Sequence, residues 1–577
     1  MKWNSKLAGI TGLFLLCAAV LGGCEAEGSI DTYPKPADTK MTSDVVTESM
    51  KEAQWETAMS TPLGRYPELV TYTLGKMTWE NNSNMPSADT YENNNYTRYL
   101  RELLNVQNDN AFEGMGSVQY EQLELMAIQE GKLPDIMLVT SKDILDILVE
   151  QDLIEDLTPV YESCTSDRIK EMYDSYGEDK LGMVTYDGKL MAFPETEVYT
   201  GPSLLWMRKD WIDKLGLQEP RTMEEAMEII RIFARENPGK NEEGNVGLAF
   251  APSLVGQSDI CFSLDPLFDY FHAYPGKWLE DENGNMVNGS VTGEMKTALA
   301  YLHEQYAAGV LDQSFMLRNK TNLSDLLSDG RCGAFFGWWW APDSPLSGLN
   351  DAGARWKPYL FPDENGEVYT SLSYGRQYCV VARKGYEHPE IIPKIISALF
   401  DYARYDGKEE AVGVGQYLGM NVDQSATPFL INTDYSDAVF RTTRRILSVM
   451  NNRKRYSDLT VLEQGYYDSC QEYLKQGQPR TGFLWAAYTS RITAVSKLIN
   501  TNIRYVNEGC TQEYNRLTDD KLEKLSLKTF IQIIIGEQPV DAFDDYVQQW
   551  YETGGRELTQ QANLIKAGSS GIENNEE

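Results

Sequence analysis

From about residue 68 onward, short apolar runs alternate with segments of helical periodicity, and this alternation constrains the fold more than any other feature of the chain. An apolar run bounded by turn residues suits a strand buried on both faces, and a 3.6-residue repeat suits a helix lying on it. The architecture implied is α/β. "ELVTYTLGKM" reads as the first strand. "YEQLELMAIQEGKLPDIMLV" reads as a helix stopped at Gly131 and a strand entered after Pro134, because glycine accepts a left-handed cap and proline breaks a helix. "SLLWMRKDWIDKLGL" gives a strand, a helix starting near Lys209 and Asp210, and a stop at Gly216. In "RTMEEAMEIIRIFAREN", Thr222 to Glu225 form a capping box, and "TGEMKTALAYLHEQYAAGVL" is a further long helix. A chain of 577 residues exceeds one hydrophobic core, so two or more lobes are expected.

The chain carries 86 acidic and 52 basic residues, a net charge of −34. Such a surface repels phosphate backbones, which excludes nucleic acid as a partner. A hydrophobic content of 42% is that of a folded globular protein. The N-terminus, "MKWNSKLAGITGLFLLCAAVLGGC", places Lys2 and Lys6 before an apolar stretch from Leu7 to Leu21. That stretch is short for a membrane span and fits a removable secretory leader. Leu21-Gly22-Gly23-Cys24 looks like a bacterial lipobox, so residues 1–23 are expected to be removed and Cys24 to carry lipid. Two or more acyl chains hold a protein stably at a bilayer. The mature chain then has 86 acidic against 50 basic residues, or −36. Residues 24–67 are polar and broken by prolines, and they read as a flexible tether.

The remaining cysteines, at 164, 261, 332, 379, 470 and 510, are scattered and form no C-x-x-C pair. An exported chain can form disulfides, but one this long does not need them. His272, His303 and His388 lie far apart, so a zinc site is not expected. Asn-Gly turns recur in "LEDENGNMVNGSV" and "FPDENGEVYTSL"; both read as hairpin turns rather than calcium loops, because Gly284 comes too early and no closing glutamate follows. The loop "ENPGKNEEGNVGL" is the better calcium candidate, through Glu236, Asn241 and Glu243, against the simpler reading of an acidic solvated loop. No other cofactor is called for.

"RCGAFFGWWWAPDS" sets three tryptophans directly after an apolar run ending in glycine. On a strand, successive side chains face opposite ways, so such a triplet needs a two-sided core, a lobe interface, or a ligand with a flat apolar face.

Several segments, "GKLPDIM", "LIEDLTPVY", "DGKLMAFP", "LLWMRKDWIDKLGL", "YAAGVLDQSF", "GAFFG" and "IIIGEQPVDAFDDYVQQWYETGG", occur in an order that resembles the extracellular solute-binding protein family 1, especially its long Firmicutes members. The resemblance covers about residues 68–565. It implies a two-lobed periplasmic-binding-protein fold of type II, with hinge strands and an oligosaccharide held in the interlobe cleft. It further implies a monomeric lipid-anchored receptor at the outer face of the membrane, which delivers sugar to ABC transporter permease subunits without catalysis. Lobe one then comprises about 68–194 and 376–430 and lobe two about 200–370, with later helices packed on both. Sugar sites combine aromatic plates with hydroxyl partners. Trp338, Trp339 and Trp340 are expected on one wall, at least one facing the cleft while a neighbour fills lobe two. Trp79, Glu80, Asn81 and Asn82 are expected on the other wall, and Tyr374 and Arg376 beside the hinge; Trp206 and Trp278 are weaker candidates. Strong negative charge favours a neutral sugar over an acidic one unless a residue such as Arg98 or Arg376 reverses it locally. Two alternatives stay open: a secreted glycoside hydrolase with an aromatic cleft and a carboxylate pair, and a sugar sensor uncoupled from transport.

Overall fold

The structure is a computed structural model. It describes residues 48–573 except 80–83, 178, 200, 243, 257–260, 372–377, 407–410, 420–421, 476–480, 507–513 and 515–516.

Two sheets organise the chain. The first has the order β2-β1-β3-β14-β6, formed by β1 (Val70–Thr78), β2 (Val106–Met115), β3 (Ile136–Val139), β6 (Phe193–Pro194) and β14 (Cys379–Ala382). Here β1 runs parallel to β2 and β3, and β14 runs antiparallel to β3 and β6. The second has the order β12-β7-β11-β8, formed by β7 (Leu204–Arg208), β8 (Val246–Ala249), β11 (Cys332–Gly337) and β12 (Trp356–Tyr359). The inner strands β3, β14, β7 and β11 are buried along their whole length, which suits their largely apolar sequences, whereas the edge strand β2 is polar and partly exposed. In β3, Ile136 and Leu138 enter one core and Met137 and Val139 another. In β7, Leu205 and Met207 enter one core and Leu204 and Trp206 another. Within β1, Gly75 sits where a Cβ would stand 2.7 Å from the Phe112 ring, and the β1–β2 register shifts at that point.

The expected helices form. Gly131 (φ 63°) and Gly216 (φ 66°) end theirs in the left-handed region. Thr222 caps the helix Met223–Glu236 by accepting from Glu225 N (3.2 Å), but the Glu225 carboxylate reaches back to Arg221 N (2.8 Å) instead of closing the box on Thr222. Of the two Asn-Gly segments, the first makes a hairpin between β9 (Trp278–Glu280) and β10 (Met286–Asn288). The second does not: β13 (Glu367–Thr370) pairs in parallel with β15 (Asn502–Tyr505). In both, an aspartate (Asp281, Asp363) binds backbone N–H groups of its own turn, which holds each carboxyl below its usual range.

The tether expected to reach residue 67 ends earlier. A helix spans Glu48–Ser60 and docks on the first lobe; Ala58 and Tyr66 are fully buried. Lys394 Nζ donates to Ala58 O (2.8 Å), Thr61 O (2.7 Å) and Gly64 O (2.8 Å), so a cation closes the negative end of that helix. Trp55 stacks on His388, and Tyr66 Oη donates to Glu390 (2.6 Å). These contacts are long-range in sequence, so a polar, weakly amphipathic stretch gave no sign of them.

Later helices divide. Trp485, Val495 and Leu498 join a core of the second sheet, and the C-terminal residues Phe530, Phe543 and Trp550 join its other core. Among the described residues no helix is long and apolar enough to cross a membrane. The five described cysteines are buried free thiols, while Cys510 lies outside the described residues.

Candidate functional site

The registers place one edge of each sheet at the chain crossings. Cys379, the first residue of β14, pairs with Val139 at the carboxyl end of β3 and with Pro194, after which the chain leaves the first sheet. Leu204, the first residue of β7, pairs with Gly337, the last of β11, and β8 runs parallel to β11. Residues 195–203 therefore link the carboxyl edge of β1–β3 to the carboxyl edge of β8 and β11. A second strap lies beside this link: Asn432 O accepts from Thr196 N (2.8 Å) and Ser436 O from Tyr199 N (2.7 Å). Loops at such carboxyl edges are where open α/β sheets hold ligands.

Trp338, Trp339 and Trp340 begin directly at this edge. They lie in a turn after β11, closed by Ala341 N donating to Trp338 O (2.9 Å), so strand alternation does not govern them. Each does something different. Trp340 packs against the core that holds Trp206. Trp339 is 6% exposed and carries the Arg491 guanidinium on its face, 4.5 Å from the ring centroid. Trp338 is half-buried. The indole N–H groups of Trp338 and Trp339 are shielded from water and have no hydrogen-bond partner, an arrangement that costs roughly 1–3 kcal/mol per group unless something supplies an acceptor.

On the first wall, Trp79 follows β1 and is half-buried against the core. Glu80, Asn81 and Asn82 lie outside the described residues, as do Tyr374, Arg376, Glu243 and Cys24. Two expectations are corrected. Trp206 is fully buried within β7 and its N–H donates to Gly337 O (3.1 Å), which leaves no face for a ligand. Trp278 is 4% exposed and donates to Leu517 O (3.2 Å) beneath the C-terminal helices. Arg98 cannot offset charge for a ligand either, since Asp89 engages both its terminal nitrogens (2.9 and 3.3 Å).

The two described calcium candidates, Glu236 and Asn241, are engaged elsewhere. Glu236 is exposed and paired with Arg235 (2.8 Å), and the Asn241 amide donates to Asn245 Oδ1 (3.1 Å) and Gly330 O (3.0 Å), closing its loop internally. Among the described residues no group of three or more His, Cys, Asp or Glu could hold a metal ion.

Sequence reading missed Glu124. It sits in the helix Gly116–Glu130, fully buried, and accepts from Thr140 Oγ1 (2.8 Å) just past the end of β3, while its other oxygen has no partner. Burial pushes its carboxyl up to about 8 against the opposing Thr140 hydrogen bonds, so it is protonated at neutral pH. A glutamate in an amphipathic helix normally faces water, and no local signal marks this one. Surface depressions of about 500 Å³ (Tyr467, Asp468, Gln471, Glu472, Lys475) and about 280 Å³ (Leu360, Pro362, Ser496, Lys497, Asn500, Thr501) involve none of the expected contact residues.

Comparison with solved structures decides the fold. A human-milk-oligosaccharide-binding, ABC-transporter-associated solute-binding protein from Bifidobacterium longum infantis matches 86% of this chain and 98% of its own, with TM-score 0.58 and 14% identity. The alginate-binding protein AlgQ2, solved without calcium ion, matches 86% and 98% with TM-score 0.52 and 15% identity. The chain has the fold of these solute-binding proteins. No family model matches the chain. Among curated relatives, the polygalacturonan/rhamnogalacturonan-binding protein YtcQ of Bacillus subtilis is 26% identical over 155 residues, 27% of this chain. The lipoprotein LipO of the same organism is 21% identical over 369 residues, 62% of this chain. The match spans 30% of the first relative's length and 68% of the second's.

Proposed function

We propose that the protein is a lipid-anchored receptor that captures an oligosaccharide between its two sheet edges and passes it to an ABC transporter permease without altering it. The observation that carries this reading is the turn after β11, where Trp338 stays half-buried beside the crossing and can offer an apolar plate. A sugar supplies both a C–H face and acceptor oxygens. Closure about the straps at 195–203 and 432–436 would add contacts from the Trp79 wall, and the ligand shifts the balance by its extra affinity for the closed form. The names of the relatives, a polygalacturonan/rhamnogalacturonan-binding protein and a lipoprotein, agree with this reading and with Cys24 as the anchor. The receptor needs no cofactor for capture.

Calorimetry and thermal shift with an oligosaccharide panel test the proposal. One-to-one binding with the sugar recovered intact is expected, and binding raises the melting temperature by mass action. Shortened products would show a hydrolase. Loss of sugar uptake on gene deletion separates an importer from a sensor.

A further inference from the structure

We propose that this groove selects acidic oligosaccharides, with Arg491 receiving the carboxylate of a uronate residue; the inference rests on the receptor reading above. Arg491 lies in the helical segment Thr489–Ala494. Its guanidinium carbon stands 4.5 Å from the Trp339 ring centroid and 4.1 Å from that of Tyr466. Two aromatic faces thus hold one planar cation in a fixed place, by an attraction that grows as water is excluded.

Among the described residues that cation makes no salt bridge, and Asp343 feels its charge only at longer range. The Arg491 backbone carbonyl accepts from Thr443 Oγ1 (3.0 Å), but among the described residues no carboxylate or carbonyl meets its guanidinium nitrogens. Other half-buried arginines are paired: Arg208 with Asp210 (2.6 Å), Arg318 with Asp312 (2.7 Å), Arg404 with Asp434 (2.8 Å) and Arg445 with Glu463 (2.9 Å). In a chain with 86 acidic residues, a partner for Arg491 would be easy to place. Desolvating a guanidinium without pairing it costs free energy, so its vacancy requires a reason.

Location supplies one. Trp339 belongs to the turn at the crossing edge of the second sheet, and Tyr466 belongs to the helix Val461–Lys475, which contacts the segment Ser397–Asp406 packed on the first lobe. Arg491 therefore stands between groups from both sides. Burial raises the Asp343 carboxyl, and the Arg491 charge and a Ser490 hydrogen bond oppose that rise. Hydroxyls of a neutral sugar donate as well as accept, whereas a carboxylate only accepts and matches the guanidinium fork with two parallel bonds. The net charge of −34 does not oppose this at contact range, because salt screens it beyond about 8 Å under physiological conditions.

The test uses the full mature chain and calorimetry with trisaccharides of galacturonate, mannuronate and glucuronate, each beside its methyl ester and neutral parent, plus a sulfated oligosaccharide. At least one uronate is expected to bind 10-fold or more tighter than its ester. Arg491→Gln should erase that preference, and Arg491→Lys should restore only part of it, since lysine keeps the charge but not the fork. Melting of the unliganded variants checks their folding; if Arg491→Gln is destabilised, the partial preference of Arg491→Lys decides. Equal binding of acid and ester, an unchanged preference in Arg491→Gln, or preference for the sulfated sugar over every uronate overturns the inference while leaving the receptor standing. Failure of every sugar to bind, or cleavage of any, removes the receptor reading and this inference with it.

Discussion

The tryptophans of the second lobe fall into two regions that the same residue type occupies for opposite reasons. Trp206 and Trp278 lie in cores with their N–H groups bonded to Gly337 O and Leu517 O. Trp338 and Trp339, at the crossing edge, leave theirs unbonded. The first lobe repeats the contrast: Lys394, fully buried, finds three carbonyls, whereas Glu124, at the edge, leaves an oxygen orphaned. Orphaned atoms also occur elsewhere, at Trp356 Nε1 in the same core as Trp206 and at Arg231 Nε and Tyr386 Oη, so a missing partner marks a ligand position only where the fold also brings a groove.

The largest effect should come from the core. Trp206→Ala removes a fully buried indole and should cost about 3–5 kcal/mol in urea unfolding, with sugar affinity kept wherever the protein remains folded. A smaller stability cost than for Trp338→Ala would break the contrast. Next is the pH response of Glu124. Its folded carboxyl titrates near 8, above the unfolded value of 4.5, so the folded state holds a proton the unfolded state has lost. Stability should therefore fall as pH rises from about 4.5 to 8, with a slope of up to about 1.4 kcal/mol per pH unit from this group. Glu124→Gln should flatten that part of the profile; an unchanged profile would show that Glu124 ionises freely.

Trp338→Ala should weaken sugar binding about 10-fold, roughly 1.4 kcal/mol, while shifting the unliganded melting point far less than Trp206→Ala does. If affinity is unchanged, the orphaned indole is a packing defect. The smallest effect is expected at Trp340→Phe, which keeps an aromatic ring against the core and should alter affinity less than about threefold, within about 0.6 kcal/mol. A loss as large as that of Trp338→Ala would move the plate one residue along the turn.

Periodicity and punctuation made much of the fold legible. The strand at Val70–Thr78, the glycine stops at 131 and 216, and the cap at Thr222 rest on contacts within a few residues, which a sequence displays directly. The tether was misjudged because the helix Glu48–Ser60 is held by Lys394 and His388, more than 300 residues away. The second Asn-Gly turn was read as a hairpin because its turn chemistry is local, while the partner of β13 is β15. At the site, the tryptophan triplet was visible as an anomaly, but not which ring did what.

Sequence alone determined that this chain builds α/β layers with two-sided strands and places a cluster of indoles after one of them, because apolar spacing and backbone preferences act over short stretches. Tertiary structure alone decided that Trp206 is core, that Trp338 meets the crossing, and that Arg491 is pinned between Trp339 and Tyr466 with no salt bridge among the described residues. Those facts depend on which distant groups arrive to satisfy a donor or neutralise a charge, and no local pattern encodes an arrival that does not occur.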